Sequence, residues 1–162
     1  MRTKMSVRVL LCLVLALLVS APPVFADQSF HSTRLPLALT AAGQTAGHPE
    51  LRAGHVVDIH TNGPVVYAME EYLLNGAKPD TDYQVVLHFY MNTACTPGGL
   101  FDFILPGVTL TTDSLGNANG RARSTPADIL EILHNTDWGI TWTFESGGVA
   151  AYITPCAHVH LD

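Results

Sequence analysis

Apolar residues along this chain recur in short runs with a period of two, separated by clusters of turn formers. That pattern predicts strands rather than helices. Residues 35–40 read as a first strand that Pro36 confines to a sheet edge, and 41–53 read as a loop. Val56, Val57, Asp58, Ile59 and His60 form the next run, closed by Thr61-Asn62-Gly63-Pro64. Residues 65–74 contain good helix formers, but Val65, Val66 and Tyr67 favour extended chain, and a strand is expected there. Glu70 and Glu71 are adjacent, so a regular strand sends one to each face. Residues 84–90 are apolar on both sides, as in a central strand. Residues 108–112 form another strand, and 113–120 read as a hairpin connection to a return strand beginning at 121–123.

One helix is expected, over 126–134. Thr125 is placed to cap it, Pro126 suits the first helical position, and Asp128 completes a box-like pattern. Beyond it, Trp138, Ile140, Trp142 and Phe144 alternate with Gly139, Thr141, Thr143 and Glu145, a half-buried strand with a large aromatic face. Ser146-Gly147-Gly148 turns the chain, 149–154 return, and 155–160 end it. The expected core is Tyr67, Val85, Leu87, Leu110, Trp138, Trp142 and Tyr152.

The first 26 residues change this picture, because they read as a signal peptide. Arg2, Lys4 and Arg8 precede an unbroken apolar run over 9–19, and Val24-Phe25-Ala26 ends on a small residue. The run is shorter than the roughly 20 residues a membrane span needs. Cleavage is expected after Ala26, removing Cys12 and leaving a single domain over 27–162 with no membrane insertion. The signal has a bacterial look and places the protein outside the cytoplasm. The remaining domain carries five bases against fourteen acids, a net charge of −9, which argues against nucleic acid as a partner. Cys95 and Cys156 remain, and in an oxidising compartment they are expected to pair as one disulfide.

Leu74-Asn75-Gly76-Ala77-Lys78-Pro79-Asp80-Thr81-Asp82-Tyr83-Gln84-Val85 resembles the tyrosine corner of fibronectin type III and related immunoglobulin-like sandwiches. The resemblance implies that Tyr83 anchors a crossover between two sheets, that Pro79 sets the turn and that Gly76 allows a tight approach. Ala77 departs from that pattern's leucine. The chain also continues some seventy residues past the motif, so its topology must differ from a fibronectin domain.

His158-Val159-His160 is the sharpest candidate for chemistry. On a strand both rings share a face, and the triplet is similar to a copper-binding His-Val-His pair of Cu/Zn superoxide dismutase. A metal needs further ligands, and His60 and His88 are the candidates. His31, His48, His55 and His134 complete the set of eight histidines. Aligned to an EF-hand loop, 113–120 puts Leu115 and Pro126 at essential ligand positions, so calcium is not expected. No nucleophile elbow, zinc-protease helix or phosphate-binding glycine loop is present. Glu70 and Glu71 with His60 or His88 are an acid–base candidate, and the Trp138/Trp142 face is a candidate surface for a sugar or a protein. The expectation is an all-β, immunoglobulin-like sandwich with one short helix and one disulfide. Its expected role is that of an exported, non-enzymatic module binding an unidentified protein or glycan, with no cofactor. The alternative is a secreted histidine-based copper- or zinc-binding protein.

Overall fold

A computed structural model of the chain describes residues 31–60, 68–96, 100–128 and 136–161. The described chain is all-β with one small α-helix. The elements run β1 (His31–Pro36), β2 (Ala38–Leu39), α1 (Ala41–Thr45), β3 (Ala53–His60), β4 (Ala68–Asn75), β5 (Asp82–Tyr90) and β6 (Leu100–Thr111). They continue with β7 (Ala118–Ser124), a 3-10 turn (Pro126–Asp128), β8 (Thr136–Ser146), β9 (Val149–Ile153) and β10 (Ala157–Leu161). The expected signal peptide, Tyr67 and the remainder of the expected helix past Asp128 lie outside the described residues.

The strands form two antiparallel sheets. One has the order β1-β3-β4-β7. The other has the order β2-β9-β8-β5-β6, with β10 also paired to β8. β4 is a strand because its alternation demands it. Ala68, Glu70, Tyr72 and Leu74 are buried while Met69, Glu71, Leu73 and Asn75 are partly exposed. A helix would have scattered these two sets around its circumference. Pro36 does sit on an edge strand, since β1 pairs only with β3 in its sheet.

The two sheets share one core. Leu35, Val56, Tyr72 and Leu74 from the first meet Val85, Leu87, Trp142 and Phe144 from the second. Tyr72 packs edge-on against Phe144 across the gap, with ring centroids 5.8 Å apart. Of the expected core residues, Val85, Leu87, Leu110, Trp138, Trp142 and Tyr152 are all buried.

Three expectations need correction. The loop expected over 41–53 begins with α1, capped by Thr40, whose hydroxyl accepts from Gly43 N–H at 2.8 Å. Gly43 has no room for a side chain, because a Cβ would meet Ala151 O at 2.4 Å, so the helix lies directly on β9. The stretch 113–120 is not a hairpin connection. β6 belongs to the second sheet and β7 pairs with β4 in the first, so this segment crosses between sheets. Finally, β8 is buried on both sides from Trp138 to Phe144, rather than half-buried. One cause is the loop carrying Cys95, which lies so close over Gly139 that a Cβ there would meet Asn92 O at 2.3 Å.

The expected helix start at Thr125 forms only a 3-10 turn among the described residues. Thr125 N–H and Oγ1 both donate to Asp128 Oδ2, at 2.8 and 2.6 Å. The disulfide Cys95–Cys156 is present, with Cα atoms 5.8 Å apart and a sequence separation of 61. It ties the loop after β5 to the segment joining β9 and β10. Closing a loop of that length removes disorder from the unfolded chain worth about 4 kcal/mol in the chain-entropy model. Replacing both cysteines by serine is therefore expected to lower the urea unfolding free energy by roughly 2–4 kcal/mol without changing the far-ultraviolet dichroism. A loss below ~0.5 kcal/mol would show that the crosslink does not constrain the unfolded state.

Candidate functional site

The outer face of the four-stranded sheet is the candidate site, and strand register builds it. Arg34, Val57, Glu71 and Arg121 align as one row across β1, β3, β4 and β7. Pro36, His55, Leu73 and Asn119 form the next row on the same face, and Ser32, Ile59, Met69 and Arg123 the row on the other side. The opposite side of the same strands carries Val56, Tyr72 and Leu74 into the core, so these rows face outward by alternation alone. Val57, Ile59, Met69 and Leu73 are partly exposed and supply an apolar floor. A groove of ≈ 530 Å³ opens here, lined by His55, Glu71, Tyr72, Leu73, Asn119, Gly120 and Arg121. That size falls in the range of small-ligand sites.

Charge is distributed unevenly over the molecule. Three of the five bases of residues 27–162, Arg34, Arg121 and Arg123, stand on this one face, although the domain is strongly acidic as a whole. Arg121 Nη2 donates to Glu71 Oε1 at 2.9 Å, in a pair that is 69% and 46% exposed. Exposed pairs of this kind are worth ~0–1 kcal/mol, so the contact orients Arg121 more than it stabilises the sheet. Arg34 Nη2 lies 3.1 Å from His55 Nδ1. A guanidinium only donates, so Nδ1 accepts and the imidazole is neutral with its proton on Nε2. Burial first, and the Arg34 charge second, lower the His55 pKa in keeping with that state.

Beneath this face lies a buried polar group. Asp58 and Glu70 are cross-strand partners on the core side of β3 and β4, 2% and 3% exposed. The Tyr72 hydroxyl donates to Glu70 Oε2. Burial, then the Glu70 charge and this hydrogen bond, then Asp58, push the Tyr72 hydroxyl far above the ordinary tyrosine range. The adjacent glutamates thus separate as alternation requires, Glu70 inward to a hydroxyl and Glu71 outward to a base.

The histidine candidates do not assemble. His158 and His160 share the outer face of β10, and Asp137 Oδ1 on β8 lies 3.1 Å from His158 Nε2 and 3.0 Å from His160 Nδ1. The two rings hold the Asp137 carboxyl below the usual carboxylate range, His160 contributing most. His88 stands on β5, two strands from β10 and so on the order of 10 Å away, with its Nε2 2.8 Å from Thr143 Oγ1. His60 belongs to β3 in the other sheet. Among the described residues no group of three or more His, Cys, Asp or Glu side chains is spaced to hold a metal.

The remaining sequence candidates have structural surroundings. Tyr83 Oη accepts from Lys78 N–H at 3.3 Å and lies 2.9 Å from His48 Nδ1. Gly76, before it in the same crossover, adopts φ +79, a conformation that favours glycine. Trp138 and Trp142 are buried in the core, 4% and 1% exposed, and present no surface. Asp113 accepts from the N–H groups of Leu115 and Asn117 at 2.9 and 2.8 Å, which organises the 113–117 turn.

Sequence reasoning missed Arg34, His55, Leu73, Asn119 and Arg121. The spacing of Arg121 and Arg123 on a strand puts both on one face, a signal the sequence does carry, but which strands stand beside them depends on pairing across the sheet. No known protein family, characterised protein or solved structure matches this chain.

Two outcomes are expected. Tyr72 titrates near 10 when unfolded and far higher when folded, so the unfolded state alone loses its proton above pH 10 and stability falls as pH rises from there. Urea unfolding between pH 9 and 12 is expected to show this decline. Tyr72→Phe is expected to make it shallower by about 1.4 kcal/mol per pH unit; an unchanged slope would refute the assignment. Separately, Zn²⁺ titrated into the protein is expected to give no one-to-one isotherm that depends on His158 and His160, because both rings are engaged with Asp137 and among the described residues no group of three or more His, Cys, Asp or Glu side chains is spaced to hold a metal. Stoichiometric binding abolished by His158→Ala with His160→Ala would contradict this.

Proposed function

We propose that the protein is an exported, non-enzymatic binding module, an immunoglobulin-like sandwich that engages an extended polymer on the outer face of its four-stranded sheet. The leader-like first 26 residues and the Cys95–Cys156 disulfide support a place outside the cytoplasm. The absence of recognisable catalytic motifs in the sequence supports a binding role. The carrying observation is the row Arg34–Val57–Glu71–Arg121 beside the groove over Leu73. It crosses the whole sheet, about 14 Å over three strand spacings, and combines charge at both ends with an apolar floor.

The test uses the protein secreted from cells expressing all 162 residues. It is passed over beads carrying polygalacturonate, neutral dextran, polyglutamate or polylysine. Retention on at least one polymer is expected, and Asn119→Trp, which fills the groove without altering charge, is expected to abolish it while leaving the melting temperature within a few degrees. If that variant does not fold, Leu73→Gln replaces it, removing the apolar floor of the groove without altering charge. Retention on none of the polymers, or equal retention of the filled-groove variant, would overturn the proposal.

A further inference from the structure

We infer that the occupant of this groove is a polyuronate, a sugar chain bearing carboxylates; the inference rests on the proposed role of the sheet face. Charge complementarity is the first argument. A domain of net charge −9 repels polyanions in general, yet it collects Arg34, Arg121 and Arg123 on one face. Arg34 and Arg121 stand at opposite ends of one row. Each uses one N–H toward a protein neighbour, His55 or Glu71, out of five that a guanidinium offers. The planar fork that remains matches a carboxylate with two parallel hydrogen bonds. His55, neutral with its proton on Nε2, adds a donor without adding charge.

The middle of the face selects hydroxyls. Glu71 and Asn119 line the groove as an acceptor and as a mixed donor and acceptor, which suits alcohol groups between the acidic ones. Leu73 offers an apolar patch for the CH face of a sugar ring. The Glu71 carboxylate also limits how densely charged the ligand can be, because a sugar bearing several anions would place one against it, whereas a uronate carries a single carboxylate per sugar. That disfavours heavily sulfated chains.

Other polyanions fit less well. An acidic peptide gains most from main-chain hydrogen bonds along a strand edge, but the main chains of β3 and β4 are paired on both sides, so the face offers side chains only. Single-stranded nucleic acid relies on aromatic stacking platforms and a continuous cationic track. The three rows display no Phe, Tyr or Trp, and three arginines do not make such a track on a domain this acidic.

Fluorescently labelled oligogalacturonate is the probe, titrated into the secreted protein. Saturable binding is expected, weakened strongly between 0.15 and about 1 M salt because exposed charges are screened. Arg34→Gln and Arg121→Gln are each expected to weaken it roughly two- to fivefold, the scale of an exposed ion pair, with Arg121→Lys retaining part of the affinity. Lys78→Gln, a base in the 76–81 crossover, is expected to leave it unchanged. Tighter binding of dextran sulfate, polyglutamate or single-stranded DNA than of oligogalacturonate overturns the inference. So does oligogalacturonate binding that ignores both arginine substitutions. If neutral dextran is retained instead, and Asn119→Trp abolishes that retention, the face remains the binding surface and only the polyuronate falls. If no probe binds, both fall together.

Discussion

Two crossovers laced together at one end of the sandwich set the arrangement of everything else. The chain passes from the first sheet to the second over 76–81 and returns over 112–117. Ala77 N–H donates to Gly116 O at 2.9 Å, Thr112 N–H donates to Thr81 O at 3.0 Å, and Thr112 Oγ1 donates to Lys78 O at 2.7 Å. Thr81 N–H returns a bond to Thr112 Oγ1 at 3.0 Å. Thr112 is 2% exposed, so these polar groups satisfy one another out of water, where a missing partner would cost about 1–3 kcal/mol. Gly116 must be glycine here, since its φ is +76 and a Cβ would meet Ala77 O at 2.0 Å.

That lacing dictates strand neighbours. Because both crossings occur side by side, β4 and β7 finish adjacent in one sheet while β5 and β6 finish adjacent in the other. The tyrosine below the first crossing holds its end in place. Tyr83 is fully buried, accepts from Lys78 N–H, and its ring lies 5.6 Å from that of Tyr152. Tyr152 in turn donates its hydroxyl to Pro49 O at 2.9 Å. The disulfide ties a separate place, joining the loop after β5 to the chain entering β10 over Gly139.

The consequence for chemistry is a molecule whose two outer faces differ. On the second sheet, the histidines of β10 are occupied with one carboxylate, and the core side of β8 consumes the aromatic residues. On the first sheet, β7 lies beside β4, which puts Arg121 next to Glu71 and Arg123 in line with Met69. Had 113–120 been a simple hairpin, β7 would have paired with β6 in the other sheet, and no cationic row would exist. The groove is thus a product of the crossing rather than of any local motif.

Much of the architecture was legible in one dimension. The period of two at 138–145 identified β8, short apolar runs closed by turn formers identified β3, β5 and β9, and the β-favouring Val65, Val66 and Tyr67 pointed to the strand that became β4. The buried partners Trp138, Trp142 and Tyr152 followed from the same period, and the pairing of Cys95 with Cys156 followed from counting two cysteines in a chain with a leader-like start. What only the tertiary structure decided is which strands lie side by side. Turn formers at 113–120 serve a hairpin and a crossover equally well, since both need the same local backbone. His158 and His160 met Asp137 across 21 and 23 residues, and Arg34 met His55 across 21. Sequence spacing determines the face a side chain occupies; the neighbour it meets there is chosen by long-range hydrogen bonding between strands.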